Sequence, residues 1–192
     1  MKLRAVIFDL DGTVVENAYD WAAIRAELGD GGLSILAYLS GLDEPERTRK
    51  WAVLERHEAE QTARSVLRDG MRELLDFLRE KRVRTALVTN NSRKNTAYLL
   101  EKFGLVFDRV VTRENGLWKP SGAPFRAVLE AFGTSGEDCC VIGDTKFDIL
   151  AALDAGIGPI FLLGDEPDRF AGFPVEVFPS LAQLKERLES LA

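Results

Sequence analysis

The chain is predicted to be an α/β protein, a Rossmann-like parallel sheet flanked by helices, with a small all-helical segment inserted after the first strand. Three observations predict it. From residue 70 onward, short apolar β-prone runs alternate with amphipathic helical patterns, the grammar of a parallel sheet with right-handed crossovers. Between the first such run and residue 70 only helical patterns occur. Each β-prone run is followed by polar, chemistry-bearing residues, which a parallel sheet gathers at one rim.

The first run, Ala5-Val6-Ile7-Phe8, reads as a buried strand. It ends at Asp9-Leu10-Asp11-Gly12-Thr13. Side chains two apart on a strand share a face, and two unpaired carboxylates in a core cost several kcal/mol each. The strand is therefore expected to end near Phe8, with both acids beyond its carboxyl edge. Next come helical patterns over 20–28 and 33–42, separated by the Asp30-Gly31-Gly32 break, and over 43–67. Pro45 suits a first turn. Trp51, Leu54, Ala59, Ala63, Val66 and Leu67 are expected to form one apolar face, and the segment offers no strand candidate. Trp21 and Trp51 are expected in its core. This divides the chain into 1–14 with 70–192, and a helical insert over 15–69.

The alternation then runs helix 71–82, strand 83–88, helix 93–103 closed by Gly104 and strand 107–111. Helix 123–132 follows, then strand 139–142, helix 147–155, strand 160–163 and a candidate edge strand 175–178. Ser180-Leu181-Ala182-Gln183 has the capping-box pattern for a last helix reaching about residue 191. Cys139 and Cys140 are adjacent and alternate faces of a strand, so no disulfide framework exists.

With 192 residues, 46% apolar and 29% charged, the composition is that of a globular chain with a full core. The net charge is −6 and no basic stripe is interleaved with aromatics, which argues against a nucleic-acid partner. No apolar run approaches membrane-spanning length and no signal-type segment opens the chain. A cytoplasmic location is the default expectation, and the oligomeric state is not legible.

The polar residues after the strands make the chemistry. Strand one contributes Asp9 and Asp11. The next core strand ends in Thr89-Asn90-Asn91-Ser92 at a helix start, which serves either as an anion site or as a capping cluster. A later loop carries Lys119 before Pro120, and Gly143-Asp144-Thr145-Lys146-Phe147-Asp148 sets two acids around another helix start. Carboxylates with backbone oxygens and waters suit octahedral Mg2+, while Thr89 and Lys119 suit a phosphate opposite it. An ionised aspartate can attack phosphorus and form a covalent intermediate. A second acid two residues away can protonate the leaving oxygen and then deprotonate water.

Asp9-x-Asp11-Gly12-Thr13, Thr89 at a strand end, Lys119-Pro120 and Gly143-Asp144-x-x-x-Asp148 occur in the order of the haloacid dehalogenase superfamily. The chain resembles its phosphatase side across the whole core. The resemblance implies Asp9 as nucleophile and Mg2+ ligand, and Asp11 as acid/base that ligates through its backbone carbonyl. It implies Thr89 and the following backbone, with Asn90 among them, as the phosphoryl site, with Lys119 neutralising it. Asp144 would ligate Mg2+, and Asp148 would support the metal directly or through water. The insert resembles a short helical cap of the phosphoglycolate-phosphatase-like branch.

The leading expectation is a Mg2+-dependent phosphatase acting on a small phosphorylated metabolite through an aspartyl-phosphate. The alternatives are a hexose-phosphate mutase on the same machinery and a non-catalytic binding protein that kept the fold. Arg47, Arg49, Lys50 and Arg56 cluster in the long insert helix, either as a solvated basic face or as a contact for a substrate anion.

Overall fold

The structure is a computed structural model that describes residues 2–29 and 34–191. It separates into two compact units, one formed by Met1–Glu16 with Leu67–Ala192 and one by Asn17–Val66. The first unit opens with β1 (Ala5–Phe8) and the two-residue β2 (Val15–Glu16), and resumes after the insert at β3 (Val66–Leu67), which pairs with β2 in a small separate sheet. It continues through α4 (Met71–Glu80), β4 (Arg84–Val88), α5 (Arg93–Phe103), β5 (Arg109–Val111), α6 (Ala123–Phe132), β6 (Cys139–Gly143), α7 (Lys146–Asp154), β7 (Ile160–Leu163), β8 (Val175–Phe178) and α8 (Leu181–Glu189). The main sheet has the order β5-β4-β1-β6-β7-β8, with each strand parallel to its neighbours.

Because side chains alternate across a strand, β1 feeds two cores. Val6 and Phe8 enter one with Leu74, Leu78, Leu99 and Leu184, from α4, α5 and α8. Ala5 and Ile7 enter the other with Phe125, Val128, Ile149 and Ala152, from α6 and α7. The helices answer with matching periodicity: Met71, Leu74, Leu75 and Leu78 line the inner face of α4. Cys140 falls in the first core and Cys139 in the second, so the two thiols face away from each other. The three-layer α/β architecture is the one expected. The edge strand at 175–178 is present, and Ser180 Oγ accepts the Gln183 N–H at 3.3 Å at the start of α8.

The insert differs from expectation at its ends. The long helix α3 (Glu46–Arg64) stops at Ser65, whose hydroxyl turns back to Gln61 O at 2.9 Å. Val66 and Leu67 therefore extend as β3 instead of continuing the helix. Val15, Glu16 and residues 67–69 fall outside the helical unit. Val15 is fully buried and Arg68 N donates to Val14 O at 3.1 Å, both inside the larger unit.

Taken by itself, the second unit packs α1 (Trp21–Leu28) and α2 (Ile35–Ser40) on α3 around Ile24, Leu28, Leu36, Leu39 and Leu54. Asp20 caps α1 by accepting from Ala23 N at 2.9 Å. The expected break at Asp30-Gly31-Gly32 and the start of the second helix at Leu33 lie outside the described residues. Trp21 is not a core residue: it is 46% exposed and stacks on Tyr19 with ring centroids 4.5 Å apart. Three of the four clustered cations are held inside this unit. Arg47 pairs with Glu44, Arg56 with Glu27, and Lys50 reaches Tyr38 Oη at 3.0 Å and Glu46 at 3.4 Å.

Candidate active site

The site stands at the carboxyl ends of the three central strands. β1 pairs with β4 on one side and β6 on the other. Asp9 N donates to Ile142 O at 2.9 Å and Thr89 N to Val111 O at 3.0 Å. Asp9 and Thr89 are thus the last residues that the ladder holds, and their side chains are delivered to the rim on rigid backbone.

Lys119 arrives on the loop after β5. Its ammonium lies 2.6 Å from both Asp9 Oδ1 and Asp148 Oδ1, with all three residues buried. Burial alone would depress the lysine, but Asp148 and Asp9 outweigh it and hold the ammonium charged well above its usual range. The Asn90 amide anchors the lysine backbone. Nδ2 donates to Lys119 O and Oδ1 accepts from Lys119 N, each at 2.9 Å. The Asn90 side chain is therefore committed to the Lys119 backbone, which leaves its own main chain as the part that follows Thr89 along the rim.

Asp148 is fully buried and has both oxygens engaged. Oδ1 takes Lys119, while Oδ2 accepts from Thr145 Oγ1 at 2.7 Å, Thr145 N at 3.0 Å and Asp144 N at 3.3 Å. The capping expectation for this segment is met, and the carboxylate that closes the Thr145–Asp148 capping box also holds the lysine.

Two glycines let the acids approach. A Cβ on Gly12, whose φ is +81°, would stand 2.1 Å from Asp144 Oδ2. One on Gly143 would stand 2.4 Å from Asp148 Cγ. Arg68 braces the turn, donating from Nε to Thr13 O at 3.0 Å and from Nη2 to Gly12 O at 2.6 Å, with Nη1 3.3 Å from Glu16. Nothing in the sequence announces this contact, which spans more than fifty positions. Asp11 sits at the start of this turn, and its Oδ2 accepts from Asn91 Nδ2 at 2.9 Å. Thr89 Oγ1 accepts from Asn91 N at 3.0 Å, which leaves the hydroxyl proton able to donate elsewhere.

Among the described residues, Asp9, Asp144 and Asp148 each present a carboxylate oxygen within 4.8 Å of the other two. Burial first, and then Asp148, push the Asp144 carboxyl up to about 7. Burial likewise raises Asp9 well above the carboxylate range, against the opposing pull of Lys119. Lys119 alone does not compensate this charge, and the donor set is all hard oxygen. The residues fit a small divalent cation.

The site thus sets three carboxylates and one buried ammonium at the carboxyl rim of a parallel α/β sheet. The model of the haloacid dehalogenase-like hydrolases matches residues 3–156. The chain is 30% identical to a phosphoglycolate phosphatase of Rhodospirillum rubrum over 185 residues, covering 80% of this chain and 77% of that one. It is 27% identical to a phosphoglycolate phosphatase of Pseudomonas syringae pv. tomato, with 83% and 69% covered. Its fold is similar to that of a family hydrolase from Deinococcus radiodurans solved with bound phosphate and sodium, at a TM-score of 0.72 and 24% identity, over 98% of this chain and 96% of that one. The chain belongs to the haloacid dehalogenase-like hydrolases, as an enzyme of their phosphatase side. No described helix is long and apolar enough to cross a membrane.

Proposed function

We propose that the protein is a Mg2+-dependent phosphomonoesterase acting on a small phosphorylated metabolite, with phosphoglycolate the first substrate to assay because relatives carry that name. The observation that carries this reading is the Lys119 ammonium 2.6 Å from the oxygen of a strand-end aspartate. It pairs a nucleophile with the cation that would meet the transferring phosphoryl group.

Asp9 attacks phosphorus, forming an Asp9–phosphorus bond as the ester oxygen leaves with a proton from Asp11. Asp11 then takes a proton from water as the water oxygen bonds phosphorus and the Asp9–phosphorus bond breaks. Thr89 and the backbone after it, together with Lys119, hold the phosphoryl oxygens. Asp9, Asp144 and the Asp11 backbone carbonyl would hold Mg2+, which when bound supplies charge neutralisation for carboxylate and phosphate in one place. Asp148 acts at one remove, fixing Lys119 and the Asp144 loop.

The test is phosphate release with p-nitrophenyl phosphate and then a metabolite panel, in Mg2+ and in EDTA. Turnover that needs Mg2+ and vanishes in Asp9→Asn is expected. Full activity after metal stripping overturns the metal assignment, and an active Asp9→Asn overturns the nucleophile.

A further inference from the structure

We infer that Asn91 is a positioning residue that aims the Asp11 carboxylate at the leaving-group oxygen, an inference that rests on the reading of Asp11 as acid/base. Asn91 is 3% exposed, and its neighbours fix which way its amide points. Oδ1 receives the Ser92 N–H at 2.7 Å and the Asn95 Nδ2 at 3.1 Å. Both partners come as donors, so the oxygen faces them and the amino group is turned to Asp11 Oδ2, 2.9 Å away. A flipped amide would set donor against donor on one side and oxygen against carboxylate on the other.

The orienting groups are themselves fixed. Asn95 is buried in the first turn of α5, where its N–H is capped by Ser92 Oγ at 3.2 Å. Asn91 N donates to Thr89 Oγ1 at 3.0 Å. One residue therefore joins the acid/base, the phosphate-side hydroxyl and the start of a core helix.

Asp11 needs such a partner. It sits past the last ladder bond of β1, on the turn that carries the Asp11–Val15 bridge, so the strand does not dictate its side-chain rotamer. Proton transfer requires the acid within hydrogen-bond reach of the oxygen it serves, and a misplacement of about 1 Å can cost about 10²-fold in rate.

The test uses the full chain with Mg2+. Asn91→Ala, Asn91→Asp and Asp11→Asn are compared with wild type on an alkyl phosphate and on p-nitrophenyl phosphate, whose leaving group scarcely needs a proton. Tm and inhibition by inorganic phosphate are read alongside. Both Asn91 variants are expected to lower the alkyl-to-aryl ratio of kcat/KM by about tenfold or more, the direction of Asp11→Asn.

Asn91→Asp keeps an oxygen for Ser92 N–H and Asn95 but loses the donor to Asp11. If Asn91 serves only the helix start, Asn91→Asp keeps the wild-type ratio, and that result overturns the inference. Should Asn91→Ala fail to fold, Asn91→Asp decides alone. Added negative charge by itself would weaken phosphate inhibition and depress both substrates equally, and that pattern also overturns the inference. If Asp11→Asn leaves the ratio untouched, the acid/base reading is what fails. If Asp11→Asn lowers it and the Asn91 variants do not, only the Asn91 inference fails.

Discussion

The side-chain amide of Asn90 closes a two-bond ring with the backbone of Lys119, donating to its carbonyl and accepting from its N–H at 2.9 Å each. This ring holds a loop residue as firmly as a strand neighbour would. Asn90→Ala removes both bonds, worth about 1 kcal/mol each, and frees the lysine loop. The expected result is a loss of about tenfold or more in kcat/KM for p-nitrophenyl phosphate and weaker inhibition by inorganic phosphate. Steady-state kinetics and phosphate inhibition check it, and unchanged phosphate affinity would show that Lys119 does not depend on the ring.

Asp148→Asn should destabilise more than it would as a surface change. It leaves the buried Lys119 with Asp9 as its one remaining carboxylate partner at 2.6 Å. Breaking a buried pair costs about 3–5 kcal/mol, which for a chain of this size is a Tm drop of about 10 °C. Activity should fall by about 10²-fold or more, because a lysine drawn wholly onto Asp9 blunts the nucleophilic role proposed for it. Thermal melts and turnover in Mg2+ measure both effects.

Gly12→Ala places a methyl 2.1 Å from Asp144 Oδ2. Gly116 has a similar positive φ of +73° but open space around it, so Gly116→Ala isolates the backbone strain, about 1–2 kcal/mol. Gly116→Ala should lose about 5 °C in Tm and Gly12→Ala more, because the clash adds to the strain. Only Gly12→Ala should also weaken Mg2+ binding, by about tenfold or more, as read by titration calorimetry.

The folded-state carboxyl of Asp144, pushed up to about 7 by burial and Asp148, keeps a proton that its unfolded counterpart releases near 3.8. Between those two values the folded state binds more protons, so the metal-free protein loses stability as pH rises through that window. Mg2+ binds the ionised form and adds stability by mass action. Melts in EDTA should therefore show Tm falling from pH 5 to pH 8, and the Tm gain on adding Mg2+ should grow over the same range. A gain independent of pH would separate Asp144 from the metal.

Much of this was legible in the sequence because strand-end position and residue type go together. Asp9, Thr89, Asp144 and Asp148 each follow an apolar run closely, and a parallel sheet leaves such residues one rim to share. What was not legible depends on side-chain geometry between distant positions. Asn90 and Asn91 read alike as caps, yet one amide turns to Lys119 and the other to Asp11. Arg68 meets Gly12 and Thr13 only because the chain returns beside its point of departure. Val66 and Leu67 continued a helical apolar pattern, and the strand pairing of β3 overrode it.

The position of β1 between β4 and β6, with Ala5, Val6, Ile7 and Phe8 all at 0% exposure, has a kinetic consequence. An edge strand such as β8 can fray while the rest holds, but a central strand is released only by an opening that dismantles the sheet. Amide hydrogens of Ile7 and Phe8 should therefore exchange with the free energy of global unfolding. The backbone that leads into Asp9 has no cheap partial opening of its own. Lowering global stability should then deplete the number of competent molecules and leave the turnover of each survivor intact.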